Sequence, residues 1–272
     1  MNKESYFITK ISNCYIGDDA AVIDGMVYSK DAFFENVHFK KSWMSYYQIA
    51  KKAMLVNISD AIAMNAVPKY VLLSVAMPKN ISKDQINELV NGFMDVAKEF
   101  SIEIIGGDTI SNTKLDITIT VISKAKKTLF RKGLRKNHLL AYTGEIGSSG
   151  KELKKLFNLG KIHKKSKFID IKLRQEFISN STRFLSSGMD ISDGLFSDLD
   201  KLSDVNGVGF KFLKKISKTI GCSGEEYEML VSFNKRDRKS IIRRAIQSRT
   251  KLNIFAVTTR SKYTNRCKAH HF

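Results

Sequence analysis

Ser187-Gly-Met-Asp-Ile-Ser-Asp-Gly-Leu-Phe-Ser-Asp-Leu199 is the stretch on which the reading of this chain turns. Asp190, Ser192 and Asp193 fall between the apolar Met189 and Ile191 and a glycine, Gly194, that opens a helix-like run through Leu195, Leu199 and Leu202. Two carboxylates and a hydroxyl within four residues at a glycine turn make a cup for a hard cation and for polyphosphate oxygens. An Asp capping a surface helix has the same local look. The other acidic turns of the chain bear on the choice.

Toward the N-terminus, Ile16-Gly-Asp-Asp-Ala-Ala-Val22 sets Asp18 beside Asp19 at a glycine before a short strand. Adjacent like charges of this kind are either solvated or hold a cation. Residues 27–39 read as two strand ends joined by a turn, with Ser29, Asp31 and His38 bracketed by apolar residues. Ile49, Ala53, Val56 and Ala63 then recur at helical spacing, and Asp60 lies four residues from Val56, along the apolar stripe. A charge there is costly unless something pairs with it. A buried strand follows over 70–77, and an amphipathic helix over 82–100 with Ile86, Val90, Phe93 and Ala97 on one face. The strand from 101 runs into Gly106-Gly-Asp-Thr109, where glycines let amides approach an anion and Asp108 could hold the cation riding on it. Alternation over 115–122 marks another strand.

Between two apolar runs lies the charged loop Arg131-Lys-Gly-Leu-Arg-Lys136, and the boundary between two domains, 1–136 and 137–272, is placed there. Gly144-Glu-Ile-Gly-Ser-Ser-Gly-Lys151 imitates a phosphate-binding P-loop. Five residues rather than four separate Gly144 from Gly150, and Glu152 follows Lys151 where Ser or Thr is needed, so that reading fails. Residues 172–187 read as helix, and Gly221-Cys-Ser-Gly-Glu-Glu-Tyr-Glu-Met229 as a glycine turn feeding a strand. A basic helix over 238–247 and a strand over 252–258 come next, before a basic tail with adjacent His270 and His271. No internal repeat or low-complexity segment interrupts the order.

The 272 residues are 43% hydrophobic and 10% aromatic, which is globular composition. The first residues lack the apolar core of a signal peptide, and no long apolar run suggests a membrane span. Cys14, Cys222 and Cys267 form no C-x-x-C pair; they are expected as thiols in a reducing cytoplasm and argue against a zinc site. The net charge of +19 admits nucleic acid or phosphorylated small molecules as partners, but the basic residues form no clean stripe. The acidic ones concentrate in turns: Asp18/Asp19, Asp31, Asp60, Asp108 and Asp190/Asp193, with Glu225 apart. That is too many carboxylates for a glycosidase pair, and no Ser-His-Asp set is legible. Oxygen ligands select magnesium, and several magnesium-type carboxylates with glycine turns suit nucleotide phosphoryl transfer.

Gly17-Asp-Asp-Ala-Ala21, Val37-His-Phe39, Val56-Asn-Ile-Ser-Asp60, Gly106-Gly-Asp-Thr109, Met189-Asp-Ile-Ser-Asp-Gly-Leu195 and Gly224-Glu-Glu-Tyr-Glu228 occur in the order seen in thiamine-monophosphate kinases. The chain resembles that family over nearly its whole length. The resemblance implies a two-domain α/β (α+β) synthetase-like fold. An N-terminal domain of mixed sheet and helices would bind ATP and magnesium and close a barrel with its copy in a homodimer, and a C-terminal α+β domain would complete the site. It implies transfer of the ATP γ-phosphoryl to thiamine monophosphate, giving thiamine diphosphate in the cytoplasm, with several Mg2+ ions and no part for nucleic acid or membrane. Carried over by motif, Asp19, Ser29, Lys30 (through its backbone), Asp31, Asp60, Asp108, Asp190 and Asp193 would hold magnesium. Gly107, Asp108, Arg131 and Ser192 would touch ATP, and His38 and Glu225 the thiamine phosphate.

Two departures stand out. Lys30 places a cation next to Asp31, and Ala269 near the tail cannot stack on a thiamine ring. Two other readings remain: another ATP-dependent enzyme of the same superfamily, such as one like aminoimidazole ribonucleotide synthetase or selenophosphate synthetase, or a basic nucleic-acid-binding protein, whose affinity would fall steeply with salt.

Overall fold

A computed structural model describes residues 3–268. Ala269, His270 and His271, singled out in the tail, lie outside the described residues.

The first half runs α1 (Lys3–Ile11), β1 (Ala21–Ile23), β2 (Met26–Phe34), α2 (Tyr46–Ala63), β3 (Val67–Pro78), α3 (Lys83–Phe100), β4 (Glu103–Asn112) and β5 (Asp116–Lys124). The second half runs β6 (Leu139–Thr143), α4 (Ser148–Phe157), α5 (Gln175–Ser181), β7 (Leu185–Asp190), α6 (Leu195–Asn206), β8 (Gly209–Phe212), α7 (Lys218–Gly221), β9 (Met229–Phe233), α8 (Arg238–Gln247) and β10 (Leu252–Thr259). Each half builds one five-stranded sheet, in the orders β1-β2-β5-β3-β4 and β7-β9-β6-β10-β8. Among the strands of the described residues only β3 and β4 pair in parallel, with α3 as the crossover between them. The architecture is the mixed α/β expected.

α2 is the hub. Its N-terminus is closed by a capping box between Ser45 and Gln48, and Ser82 and Gln85 close α3 in the same way. Residues 49, 50 and 52–59 of α2 are all buried, so the helix is enclosed rather than amphipathic. It packs on β2, β5, α3 and β7, which carries apolar contact from the first sheet to the second: one buried cluster joins Ile49, Val56, Ile117 and Ile119 to Phe177, Met229 and Val231. α3 keeps Leu89, Phe93, Val96 and Ala97 inside and leaves its polar face in water.

The pleat of the first sheet matters for the site. Along β2, Ser29 is buried, Lys30 exposed and Asp31 half-buried, because successive side chains point to opposite faces. The helix-covered face takes Ser29, Asp31 and Phe33 together with Ile117, Ile119 and Val121 of β5. The open face takes Lys30, whose Nζ reaches Thr118 and Thr120 at 3.4 Å each. β4 is an edge strand and is almost wholly exposed.

Two expectations are corrected. The helix read over 172–187 ends at Ser181, and residues 185–190 become β7, paired antiparallel with the buried β9. Pairing in the sheet overrides the local helical pattern. The three cysteines are not all free: Cys222 and Cys267 form a disulfide across a sequence separation of 45, while Cys14 is free and exposed. The fold brings the C-terminal segment back to the turn after α7, which no local motif announces. Among the described residues no helix is long and apolar enough to cross a membrane.

Candidate active site

The opening motif lies where β7 ends. Ile191, Ser192 and Asp193 leave the strand, and Gly194 turns the chain into α6 with φ +97°. A side chain at Gly194 would also meet backbone atoms of residues 221–223 at 3.1–3.2 Å, so glycine is required for both conformation and space. Asp190 and Asp193 thereby sit at the mouth of the second sheet, facing α2.

From α2, Asp60 meets them. Carboxylate oxygens of Asp19, Asp60 and Asp190 lie within 4.8 Å of one another. They line a cavity of about 250 Å3 with Asp18, Asp31, His38, Arg131, Ser192, Asp193 and Glu225. Of the residues singled out in the sequence, this cavity gathers Asp19, Asp31, His38, Asp60, Arg131, Asp190, Ser192, Asp193 and Glu225.

Four do not line it. Ser29 is buried beneath the cavity floor, its hydroxyl donating to the Asn57 carbonyl at 3.2 Å. The Lys30 side chain lies on the open sheet face. Gly107 and Asp108 lie on β4, where Asp108 is in register with Ser74 of β3, Thr118 of β5 and then Ala32 of β2. Three strand spacings put Asp108 about 14 Å from β2. It shares the face of Ala32 and Lys30, opposite to that of Asp31. Within one chain the structure does not bring Asp108 to the other carboxylates.

The acids are held by partners that the motif reading passed over. Asn57 accepts from the Asp31 amide at 2.7 Å, and the Ser59 hydroxyl donates to Asp190 Oδ2 at 2.7 Å. Both are the remaining polar positions of Asn57-Ile-Ser-Asp60, Asn57 turned to β2 and Ser59 to β7. Arg131 donates from its amide to Asp18 Oδ1 at 2.5 Å, and from Nε and Nη2 to Asp19 Oδ1 at 3.1 and 2.5 Å. Lys201 lies 2.7 Å from Asp193 and 2.9 Å from the buried Asp198. Lys52, wholly buried in α2, lies 2.5 Å from Glu225. A lysine on the apolar stripe eight residues before Asp60 is the signal that would have found it. His38 accepts from the Phe34 amide through Nδ1 at 3.0 Å, which fixes its ring over the cavity edge.

These partners do not balance the charge. Seven carboxylates line the cavity, and among the described residues three cationic side chains, Arg131, Lys201 and Lys52, pair with them. Burial, and then the neighbouring acids, hold Asp60 and Asp190 well above the usual carboxylate range. Burial pushes Asp31 up to about 6. Asp19 is also raised by burial, against the pull of Arg131, and its Oδ2 is buried with no hydrogen-bond partner among the described residues. Burial lowers the proton affinity of Arg131, but Asp19 more than offsets it and the guanidinium stays charged. An oxygen-only set with surplus negative charge and an orphaned buried oxygen fits hard divalent cations such as magnesium.

Comparisons with known proteins show what the chain is similar to. Residues 17–125 match the family described as AIR synthase related protein, N-terminal domain. The thiamine-monophosphate kinase of Bacillus subtilis (strain 168) is 33% identical over 218 residues, covering 74% of this chain and 67% of that protein. The thiamine-monophosphate kinase of Nitrosopumilus maritimus (strain SCM1) is 30% identical over 236 residues, covering 79% of this chain and 76% of that protein. Among solved structures, AaThiL complexed with AMPPCP and TMP superposes with a TM-score of 0.87 at 20% identity, over 99% of this chain and 96% of that one, a likeness of fold.

Proposed function

The chain belongs to the thiamine-monophosphate kinase family, and on that premise we propose that it transfers the γ-phosphoryl group of ATP to thiamine monophosphate, giving thiamine diphosphate. The observation that carries this reading is the meeting of Asp19, Asp60 and Asp190 within 4.8 Å in a cavity that also holds Ser192 and Asp193.

The acceptor nucleophile is a phosphate oxygen, already anionic at neutral pH, so the chain has no need of a general base. What two approaching phosphates need is positioning and cations between them. We assign Asp19, Asp31, Asp60, Asp190 and Asp193 to holding several magnesium ions, which when bound supply charge neutralisation. Asn57 and Ser59 hold the Asp31 backbone and the Asp190 carboxylate in place, and Ser29 and the Lys30 backbone support the same strand. Arg131 and Ser192 face ATP, while His38 and Glu225, at the junction with a second cavity, face the thiamine phosphate.

A homodimer is part of this proposal. The open face and the exposed edge β4 of the first sheet favour closure of that sheet against a second copy. Asp108 and Gly107 then contribute from β4 of the partner rather than within their own chain. On this reading residues 1–136 form the ATP-binding and dimerisation unit and 137–272 the α+β unit that completes the site. Dependence on ATP favours a cytoplasmic location.

The deciding experiment is a phosphoryl-transfer assay with ATP, magnesium and thiamine monophosphate, with thiamine as the control acceptor. Thiamine diphosphate from the monophosphate alone is expected. Magnesium-dependent ATP binding without that product would leave the fold and remove the substrate.

A further inference from the structure

The disulfide between Cys222 and Cys267 joins the C-terminal segment to the turn after α7, at a sequence separation of 45. Residues 260–268 form no helix or strand and cross the start of α6 as a strap. They are exposed except for Tyr263, Asn265 and Cys267, which are half-buried. The Tyr263 hydroxyl donates to the Phe196 carbonyl at 3.1 Å, and its ring is edge-on to Phe210 at 5.2 Å between centroids. Asn265 Nδ2 donates to Ser197 Oγ at 3.5 Å. With contacts this sparse, the covalent bond is the main hold on the strap.

At its other end the bond grips a turn that serves the site. Gly221 lies under the Phe196 ring, where an added Cβ would collide with it, and the backbone of residues 221–223 lies against Gly194. The Glu225 amide donates to the Ser192 carbonyl at 2.7 Å. Cys222, Ser223, Gly224 and Glu225 line a second cavity, of about 750 Å3, which shares His38, Ser192, Asp193 and Glu225 with the carboxylate cavity. Packed backbone and hydrogen bonds thus run unbroken from Cys267 through Cys222 to Ser192 and Glu225.

We propose that Cys222–Cys267 is a redox switch on the site. In the oxidised chain the strap is clipped shut and the 222–225 turn is held against Ser192; reduction by a protein dithiol frees the strap and loosens that turn. One thiolate of the dithiol attacks a sulfur of the pair, and the other cysteine leaves as a thiolate and takes up a proton. The second thiol of the dithiol then displaces the first cysteine, which is protonated in turn. Two electrons and two protons pass to the chain, and the dithiol leaves as a disulfide. Both cysteines are half-buried rather than enclosed, so a partner's thiols can reach them. In the cytoplasmic location proposed above, a disulfide is a transient sensor rather than a permanent staple. The effect on turnover rests on the function proposed above; the release of the strap does not.

The test uses the full chain carrying Cys14→Ser, which leaves the pair as its only cysteines. The protein is equilibrated with dithiothreitol or with oxidised glutathione, alkylated with iodoacetamide and weighed, and a parallel sample is digested briefly with trypsin while turnover is followed in a third. No label is expected after oxidised glutathione, and one on each cysteine after dithiothreitol. Cleavage after the exposed Lys262 and Arg266 should be about tenfold faster in the reduced chain. KM for thiamine monophosphate should rise about fivefold on reduction with kcat little changed, and return on reoxidation. Cys222→Ser should show the reduced values under both conditions. A purely structural staple would lower the melting temperature on reduction and leave KM alone, and that result overturns the switch. Labelling of both cysteines in the glutathione-treated chain, or equal cleavage in the two states, overturns it as well. Redox-dependent labelling and cleavage in a chain that makes no thiamine diphosphate in either state would remove the function reading and leave the strap standing.

Discussion

Lys52 Nζ lies 2.5 Å from Glu225 Oε2 and 3.6 Å from the centre of the Phe168 ring, with the lysine side chain wholly buried and the glutamate partly exposed. The pair ties the hub helix of the first half to the turn before β9 in the second, at the junction of the two cavities.

Because the lysine is the more enclosed partner, losing the glutamate leaves the worse orphan. Glu225→Gln is expected to cost about 3 kcal/mol of stability, and Lys52→Met less, since Glu225 can turn to solvent. The double variant should recover part of the loss, with a coupling above about 1 kcal/mol in a denaturation cycle. Strict additivity would mean that the contact contributes nothing. Lys52→Met should also weaken thiamine monophosphate binding more than ATP binding.

Asp60→Asn and Asp190→Asn should separate activity from stability. Each removes a carboxylate that burial and neighbouring acids disfavour. Turnover is expected to fall by about a hundredfold or more. The magnesium-free protein should become more stable, because the buried carboxylate that its neighbours disfavour is gone. A variant that retains wild-type turnover would remove that residue from the cation set.

The same acids set a pH dependence. Asp31, raised by burial to about 6, together with Asp60 and Asp190, binds its proton more tightly in the folded than in the unfolded state. Stability from a group with raised folded pKa is present at low pH and is lost as pH rises through that value. The magnesium-free melting temperature should therefore rise between about pH 7.5 and about pH 5.5, and magnesium should stabilise more at the higher pH, where it meets ionised carboxylates. Asp31→Asn should show a shallower slope. A slope identical to wild type would detach Asp31 from the effect.

Asp108 offers a test of assembly. Its carboxylate is exposed, so Asp108→Asn should change magnesium-free stability by no more than about 0.5 kcal/mol, unlike Asp60→Asn. If Asp108 acts from the partner, mixing inactive Asp108→Asn and inactive Asp60→Asn chains through unfolding and refolding should restore activity, since a mixed dimer holds one site with both carboxylates intact. No recovery in a sample shown to contain mixed dimers would count against action across the interface.

Much of the site was legible because its signals are local. Asp60 on an apolar stripe, paired acids at Gly17 and the Asp190–Gly194 turn each violate the pattern expected of a bland surface. What escaped depends on faces and long-range contact. The two-residue period of β2 separates Asp31 from Lys30 once the strand is known, but nothing local assigned Asp108 to the open face of the sheet. Lys52 reads as one lysine among many until Glu225 is placed against it. α4 hid behind a failed P-loop match, although its glycine and serines open a helix. The Cys222–Cys267 pairing and the end of α5 are consequences of the second sheet and have no local signature.

The central helix has a consequence for how the protein matures on the ribosome. Asp19, Asp31 and Asp60 emerge early, but Asp190 leaves β7 only after most of the chain has been made, and Glu225 later still. Contacts between such distant segments form late in folding. A nascent chain therefore carries unbalanced acids on α2 and β2 with no site to complete, and on the proposed function, capture of magnesium and nucleotide marks the docking of the second half. Cation affinity is thus a report of finished folding, and a destabilised variant should lose it before it loses its helices.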